Sequence, residues 1–138
     1  MVCFQSQRTI HRSELTKEPK AIVYLFDAVF SVNPLNYVSN LFLSSAVYTR
    51  FLLPQVHLLS KCDLLPKQEV NKVVDWSSNP NALASAIDEK LEGTKRLLSR
   101  NVMQAIYKLG LKFLLTPISA KTSGGDSELQ CGFRAHLI

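Results

Sequence analysis

The residues best suited to chemistry follow three short apolar runs of the chain. These runs cover residues 21–26, 55–59 and 111–118. The polar residues that follow them are, in chain order, Asp27, then Ser60-Lys61-Cys62-Asp63, then Ser119-Ala120-Lys121. If the runs are parallel strands, their carboxyl ends meet at one edge of a sheet, where α/β proteins bind ligands. We therefore predict a ligand-binding rim at that edge, although each cluster taken alone also fits an ordinary polar turn.

The second and third clusters carry groups that suit a guanine base. An ionised carboxylate such as Asp63 accepts hydrogen bonds from both the ring N–H and the exocyclic amine of guanine. The Lys61 stem can pack on the face of the base while its ammonium group stays in water. The tight turn at Ser119-Ala120 offers a backbone N–H to the guanine carbonyl. Lys61-Cys62-Asp63 alone also fits a solvated turn, but its pairing with Ser119-Ala120-Lys121 is more specific.

Other catalytic and metal chemistries find little support in the residue spacing. The histidines, His11, His57 and His136, lie far apart, and no Ser or Cys has a visible His partner for nucleophilic catalysis. His57 lies inside an apolar run, which favours a packed or edge side chain. The three cysteines are odd in number and lack zinc-ligand spacing, so they fit a reducing compartment. We expect neither a catalytic residue nor a metal site in this chain.

The elements that must position these groups alternate along the chain. The apolar runs predict three short strands, the first of them buried on both faces. Helical spacing predicts a helix from Asn33-Pro34 to Leu53, a short one from Pro66 to Trp76, and one or two between residues 81 and 109. In the last of these, the expected buried stripe is Leu97, Leu98, Val102, Ile106 and Leu109. Strands that alternate with helices predict an α/β fold with a parallel sheet.

Length and composition fit one globular domain. The chain has 138 residues, 46% of them hydrophobic and 20% charged, within the range of about 100–200 residues for a domain. Its net charge of +5 permits an anionic partner, but the basic residues are scattered, so nucleic-acid binding is a weaker alternative. No apolar run reaches the length of about 18 residues that a membrane span needs. We predict a cytoplasmic protein without a signal peptide or a membrane partner.

These motifs resemble those of the GPN-loop GTPases, which are P-loop GTPases. The resemblance rests on Ile22-Val-Tyr-Leu-Phe-Asp27, on the stretch from Pro54 to Pro66, and on Pro117-Ile-Ser-Ala-Lys-Thr122, and it covers about residues 20–125. The helix that starts at Asn33-Pro34 and the proline before the second strand match the family's order. The resemblance implies a partial P-loop NTPase fold in which residues 1–138 form one incomplete G-domain portion. Residues 1–19 are an irregular start and residues 126–138 a tail.

The resemblance also implies roles for individual residues. Lys61 and Asp63, with Ser60 before them, match the base-recognition motif, and Ser119, Ala120 and Lys121 match the second guanine motif. GTP or GDP would be the ligand, Mg²⁺ would be needed in the intact parent, and the family's working form is a homodimer. Eukaryotic members help to assemble RNA polymerase, so its assembly factors are candidate partners.

The chain departs from the family where phosphate chemistry belongs. None of its five glycines lies in a Gly-Lys-Ser/Thr loop, and the Gly-Pro-Asn insertion is absent. We therefore predict the carboxyl-terminal portion of a GPN-loop-type GTPase, which lacks the P-loop, binds guanine nucleotide weakly or not at all, and is inactive alone. The alternative is a non-catalytic interaction module that self-associates through the apolar helix at residues 34–53.

Overall fold

The three apolar runs form a parallel sheet in the computed structural model, which describes residues 20–119. Strand β1 spans Ile22–Asp27, β2 spans Gln55–Ser60 and β3 spans Leu115–Pro117, in the spatial order β1-β2-β3. Both pairings are parallel, which confirms the predicted α/β class. Strand β3 is shorter than predicted, because it pairs only with His57 to Leu59 of β2.

Five helices and one 3₁₀ turn connect these strands. Helix α1 spans Ala28–Ser31, α2 Pro34–Phe51, α3 Lys67–Ser78, α4 Pro80–Lys90 and α5 Gly93–Lys108, and the 3₁₀ turn covers Cys62–Leu64. Among the described residues, none of these helices is long and apolar enough to cross a membrane.

The predicted helix boundaries follow from local capping. Asn33 Oδ1 accepts a hydrogen bond from the Leu35 N–H at 2.9 Å, and Pro34 occupies the first helical position of α2. Asn79 caps α4 in the same way. Helix α2 ends at Phe51, before the predicted Leu53. It ends there because Leu52 adopts a left-handed conformation at φ 51° and the proline at position 54 disfavours helix in the residue before it.

One face of the sheet and the helices α2 to α5 share a single core. The buried residues of this core come from the strands, from α2, and from α3 to α5; they include Tyr24, Phe26, Leu59, Leu115, Tyr37, Leu41, Val73, Trp76, Leu83, Ile87, Met103 and Ile106. The opposite face of β1 does not join it, since Val23 and Leu25 are 45% and 48% exposed. The prediction that the first strand is buried on both faces was therefore wrong.

The predicted buried stripe of the last helix was also wrong in part. Leu97, Leu98 and Leu109 are exposed, whereas Ile106 is buried as expected. Helix α5 instead buries Met103 and Ile106 together with the small Ser99. Positions 99, 103 and 106 lie on one side of a helix at the spacing of i, i+4 and i+7, and this side faces the core.

Candidate functional site

Parallel pairing brings the predicted rim together at the carboxyl edge of the sheet. Asp27 is the register partner of Ser60 at the ends of β1 and β2. Leu59 is the partner of Pro117, so Ser119 follows β3 beside the loop that leaves β2. Two backbone hydrogen bonds close this junction: the Ile118 N–H donates to Leu59 at 2.8 Å and the Cys62 N–H donates to Ile118 at 3.4 Å. The three polar clusters therefore start at strand ends that are joined to one another by backbone hydrogen bonds.

Asp63 and Ser119, which lie 56 positions apart in the sequence, are hydrogen-bonded across the rim. The Ser119 hydroxyl donates to Asp63 Oδ1 at 2.9 Å. Asp63 reaches this position because Lys61 takes a left-handed backbone conformation, at φ 60°, and the chain then turns through the 3₁₀ segment Cys62–Leu64. Ionised carboxylates offer about four acceptor sites, and the Asp63 side chain is exposed to solvent.

Lys61 reaches in the other direction, to the end of β1. Its Nζ lies 2.6 Å from Asp27 Oδ2, and the side chains of Lys61 and Asp27 are 59% and 22% exposed. The other carboxylate oxygen of Asp27 accepts from the Phe30 N–H at 3.3 Å and so caps α1. The hydrogen bond from Lys61 is the main reason why the pKa of Asp27 lies below its ordinary value, and the Phe30 N–H adds to the effect.

Ser60 and Cys62 support the backbone of the rim. The Ser60 hydroxyl donates to the carbonyl oxygen of Phe26 at 2.9 Å, which ties the end of β2 to that of β1. The Cys62 thiol donates to the Leu59 carbonyl at 3.0 Å. Burial raises the pKa of this thiol, which disfavours the reactive thiolate. Cys62 is thus a structural residue of the loop.

An open cleft of about 620 Å³ adjoins this rim on the side of α1 and α2. Asp27 and Lys61 form part of its wall, and Asp63 and Ser119 do not line it. The rest of the wall is mixed polar and apolar and includes Phe30, Val32, Asn33, Asn36, Leu64 and Lys90. Of the residues at the rim, the cleft is therefore lined by the Lys61–Asp27 pair.

The structure brings together most of the predicted site residues. Lys61, Asp63, Ser119, Asp27 and Ser60 all lie at the rim, whereas Ala120 and Lys121 lie outside the described residues. Within positions 20–119, no three His, Cys, Asp or Glu side chains form a group that suits a metal ion.

One contact of the rim, between Lys61 and Asp27, was not predicted from the sequence. Its signal was present, because an acidic residue ends one apolar run and a lysine follows the end of the next. Only the parallel register of the two strands shows that these residues are neighbours.

His57, which was predicted to be a packed or edge side chain, is buried, with 4% of it exposed. Its Nε2 lies 2.8 Å from Ser44 Oγ, and the Gln55 side-chain amide lies 3.1 Å away. The ring also packs edge-on against Phe113, with a centroid distance of 4.7 Å. This buried polar group connects α2 to β2 and lies in the core rather than at the rim.

Comparisons with known proteins agree with the α/β fold of the chain. The sequence model of a family described as "Conserved hypothetical ATP binding protein" matches residues 4–132. The fold is similar to the crystal structure of a GTPase in apo form from Pyrococcus abyssi, with a TM-score of 0.70 and 20% sequence identity. The match covers 84% of this chain and 46% of that GTPase, so this chain spans about half of its length. No curated protein sequence matches the chain.

Proposed function

Because the chain belongs to the GPN-loop GTPase family, whose sequence model matches residues 4–132, we propose that its rim reads the guanine base of a nucleotide. The observation that carries this proposal is the hydrogen bond between Ser119 and Asp63, which joins the two guanine motifs. A hydroxyl that donates to one carboxylate oxygen fixes the plane of the carboxylate. The base would then meet acceptors that are already oriented, which lowers the entropy cost of binding.

The chemistry of Asp63 favours guanine over adenine, although the family description names ATP. An ionised carboxylate only accepts hydrogen bonds. Guanine presents two adjacent donors, its ring N–H and its exocyclic amine. Adenine presents a ring-nitrogen lone pair and a C–H at the corresponding positions, so a carboxylate there would face a lone pair and gain no hydrogen bond. Asp63 is exposed and can reach a base from solvent.

Two further contacts complete the proposed base site. The alkyl stem of Lys61 would pack on the face of the base, while its ammonium group stays on Asp27. A backbone N–H at Ala120 would donate to the guanine carbonyl, and Lys121 would border the base. These roles follow the family's motifs residue by residue.

Replacing Asp63 tests this proposal directly. In Asp63→Asn the amide nitrogen donates where the carboxylate accepted, so the preferred base becomes xanthine, whose carbonyl replaces the guanine amine. We expect the ratio of the dissociation constants for GDP and XDP to reverse, measured by NMR titration of the chain with each nucleotide. Asp75→Asn, an exposed aspartate of α3, is the control with the same loss of charge. Unchanged selectivity in Asp63→Asn would contradict base reading by Asp63.

The proposed site covers the base and not the phosphates. In P-loop GTPases the glycine-rich loop cradles the phosphates and holds Mg²⁺, and no Gly-Lys-Ser/Thr sequence occurs in this chain. We propose that the intact parent is a Mg²⁺-dependent, homodimeric GTPase that takes part in RNA polymerase assembly. The 138-residue chain would bind nucleotide weakly and hydrolyse none. Micromolar affinity for GTP, or release of phosphate from it, would contradict this part.

A second candidate function is self-association through α2. Phe42 and Leu43 are 58% and 53% exposed on this helix, although aromatic and aliphatic side chains of this size gain by burial. Ala46, one turn further along the helix, is exposed as well. An apolar surface of this kind suits contact with another protein surface.

A further inference from the structure

We propose that Asp27 is a positioning residue of the base site, which holds the Lys61 side chain across the rim so that its alkyl stem forms a fixed surface for the base. This inference rests on the proposed function. It adds a residue at the end of β1, outside both guanine motifs. Asp27 would act through Lys61 and would not contact the base itself.

The ion pair with Asp27 restricts the conformation of the Lys61 side chain. Asp27 and Ser60 are register partners at the ends of neighbouring strands, and Lys61 is the next residue of the chain. From there its Nζ reaches Asp27 Oδ2 at 2.6 Å. A lysine side chain that is 59% exposed would otherwise sample many rotamers, and ordering it costs entropy when a ligand binds. The ion pair orders the stem before the base arrives.

The carboxylate that holds Lys61 is itself fixed. Oδ1 of Asp27 accepts from the Phe30 N–H at 3.3 Å, at the start of α1. The Ser60 hydroxyl donates to the carbonyl oxygen of Phe26, the residue before Asp27, and thus ties the two strand ends together. Because the Asp27 backbone belongs to β1, its carboxylate anchors Lys61 to the end of that strand.

The loop divides its two charged residues between two strands. Lys61 contacts Asp27 at the end of β1, whereas Asp63 contacts Ser119 after β3. Lys61 has a left-handed backbone conformation, at φ 60°. The chain turns there, between the side chain that contacts Asp27 and the one that contacts Ser119. Such a conformation is unfavourable for a residue with a Cβ, and the ion pair to Asp27 offsets part of that cost. The Lys61 and Asp63 side chains are thereby directed to residues at the ends of different strands.

The test separates positioning from a general effect on stability. In Asp27→Asn one side-chain oxygen remains to cap α1, while the other becomes an amide nitrogen that cannot accept from Lys61. We expect GDP to bind about threefold to fivefold more weakly, the range that an exposed ion pair can supply. The measurement is the GDP dependence of the Asp63 and Ser119 amide signals in NMR, with thermal unfolding recorded for each variant. Asp88→Asn is the matched control, because Asp88 pairs with Arg100 at 3.3 Å on α4 and α5, with 42% exposure of each side chain.

A double-variant cycle gives the readout that a purely structural role would not change. In Lys61→Met the ammonium group is lost and most of the stem remains. If Asp27 acts through Lys61, Asp27→Asn weakens GDP binding in the wild-type background and has no effect in the Lys61→Met background.

The outcomes of this experiment distinguish the two proposals. If the wild-type chain binds GDP and Asp27→Asn binds it equally well, or is equally impaired in both backgrounds, the positioning role is wrong and base reading by Asp63 stands. If GDP leaves the wild-type signals of Asp63 and Ser119 unmoved, base reading is wrong and the positioning role is wrong with it.

Discussion

The two aspartates of the rim differ in the groups that they accept from. Asp27 accepts from an ammonium group and from a backbone N–H, so its charge is neutralised within the protein. Asp63 accepts from the Ser119 hydroxyl and is exposed to solvent. An ionised carboxylate in contact with solvent can accept hydrogen bonds from an incoming base. Under the proposed function, Asp27 would position Lys61 and Asp63 would read the base.

The pH dependence of Asp27 follows from its partners. The hydrogen bond from Lys61 lowers the pKa of Asp27, so the folded state keeps this carboxylate ionised at a pH where the unfolded chain protonates it. The stability that the pair contributes is present above the ordinary carboxyl pKa and is lost as the pH falls through the lowered pKa. We expect the ¹³C carboxyl signal of Asp27 to titrate below the ordinary range in the wild type and closer to it in Lys61→Met. Equal midpoints in the two proteins would show that Lys61 is not the cause.

The candidate site was predictable from the sequence to the extent that its motifs are local. Lys61 and Asp63 are two positions apart, and Ser119 follows an apolar run, so each motif is visible in the printed sequence. The contact between Lys61 and Asp27 depends on which strands are neighbours and in which register. That information comes from long-range pairing, which no local pattern contains.

At the level of elements, helix boundaries were predictable where a single capping residue sets them. The burial of each helix or strand face was not predictable. Asn33 and Asn79 mark the starts of α2 and α4 because their side chains cap the first turn. The burial of Leu97 and Leu98 depends instead on which side of α5 meets the core. Helical spacing permits several apolar stripes, and packing against α2 and α4 selects the one through Met103 and Ile106. The one-sided burial of β1 was missed for the same reason.

The connection between α2 and β2 has a polar centre whose loss should destabilise the fold. Ser44 is fully buried, and its hydroxyl lies 2.8 Å from His57 Nε2 and 3.1 Å from the Gln55 side chain. Buried polar groups that lose a partner retain their desolvation cost. We expect Ser44→Ala to lower the free energy of unfolding by about 1–2 kcal/mol, measured by urea denaturation.

Ser39→Ala is the control for this change. Ser39 lies on the same helix, is exposed, and donates only to the Leu35 carbonyl within α2. Its removal should change the free energy of unfolding by less than about 0.5 kcal/mol. Equal losses in the two variants would mean that the contact with His57 adds nothing beyond a helical hydroxyl.

Two of the apolar surfaces exposed within residues 20–119 are relevant to association between molecules. One is the face of β1 that carries Val23 and Leu25. The other lies on the outer sides of two helices, with Phe42 and Leu43 on α2 and Leu97 and Leu98 on α5. Large apolar side chains on a surface favour association between molecules. The two helical surfaces carry similar residues, so each serves as a control for the other.

If the chain self-associates through α2, the strength of dimerisation depends on Phe42 and Leu43, two large apolar residues exposed on that helix. In a symmetric dimer each substitution acts twice, once in each subunit. We expect Phe42→Ser with Leu43→Ser to weaken dimerisation by about tenfold or more, because burying a side chain of this size contributes about 1.5–3 kcal/mol. The measurement is light scattering over a range of protein concentrations, with Leu97→Ser and Leu98→Ser on α5 as the matched pair. A monomeric wild type at high concentration would contradict self-association, and an equal loss in the α5 pair would contradict the assignment to α2. Because neither pair touches the rim, a dimer that dissociates while GDP binding stays constant would separate the interaction surface from the base site.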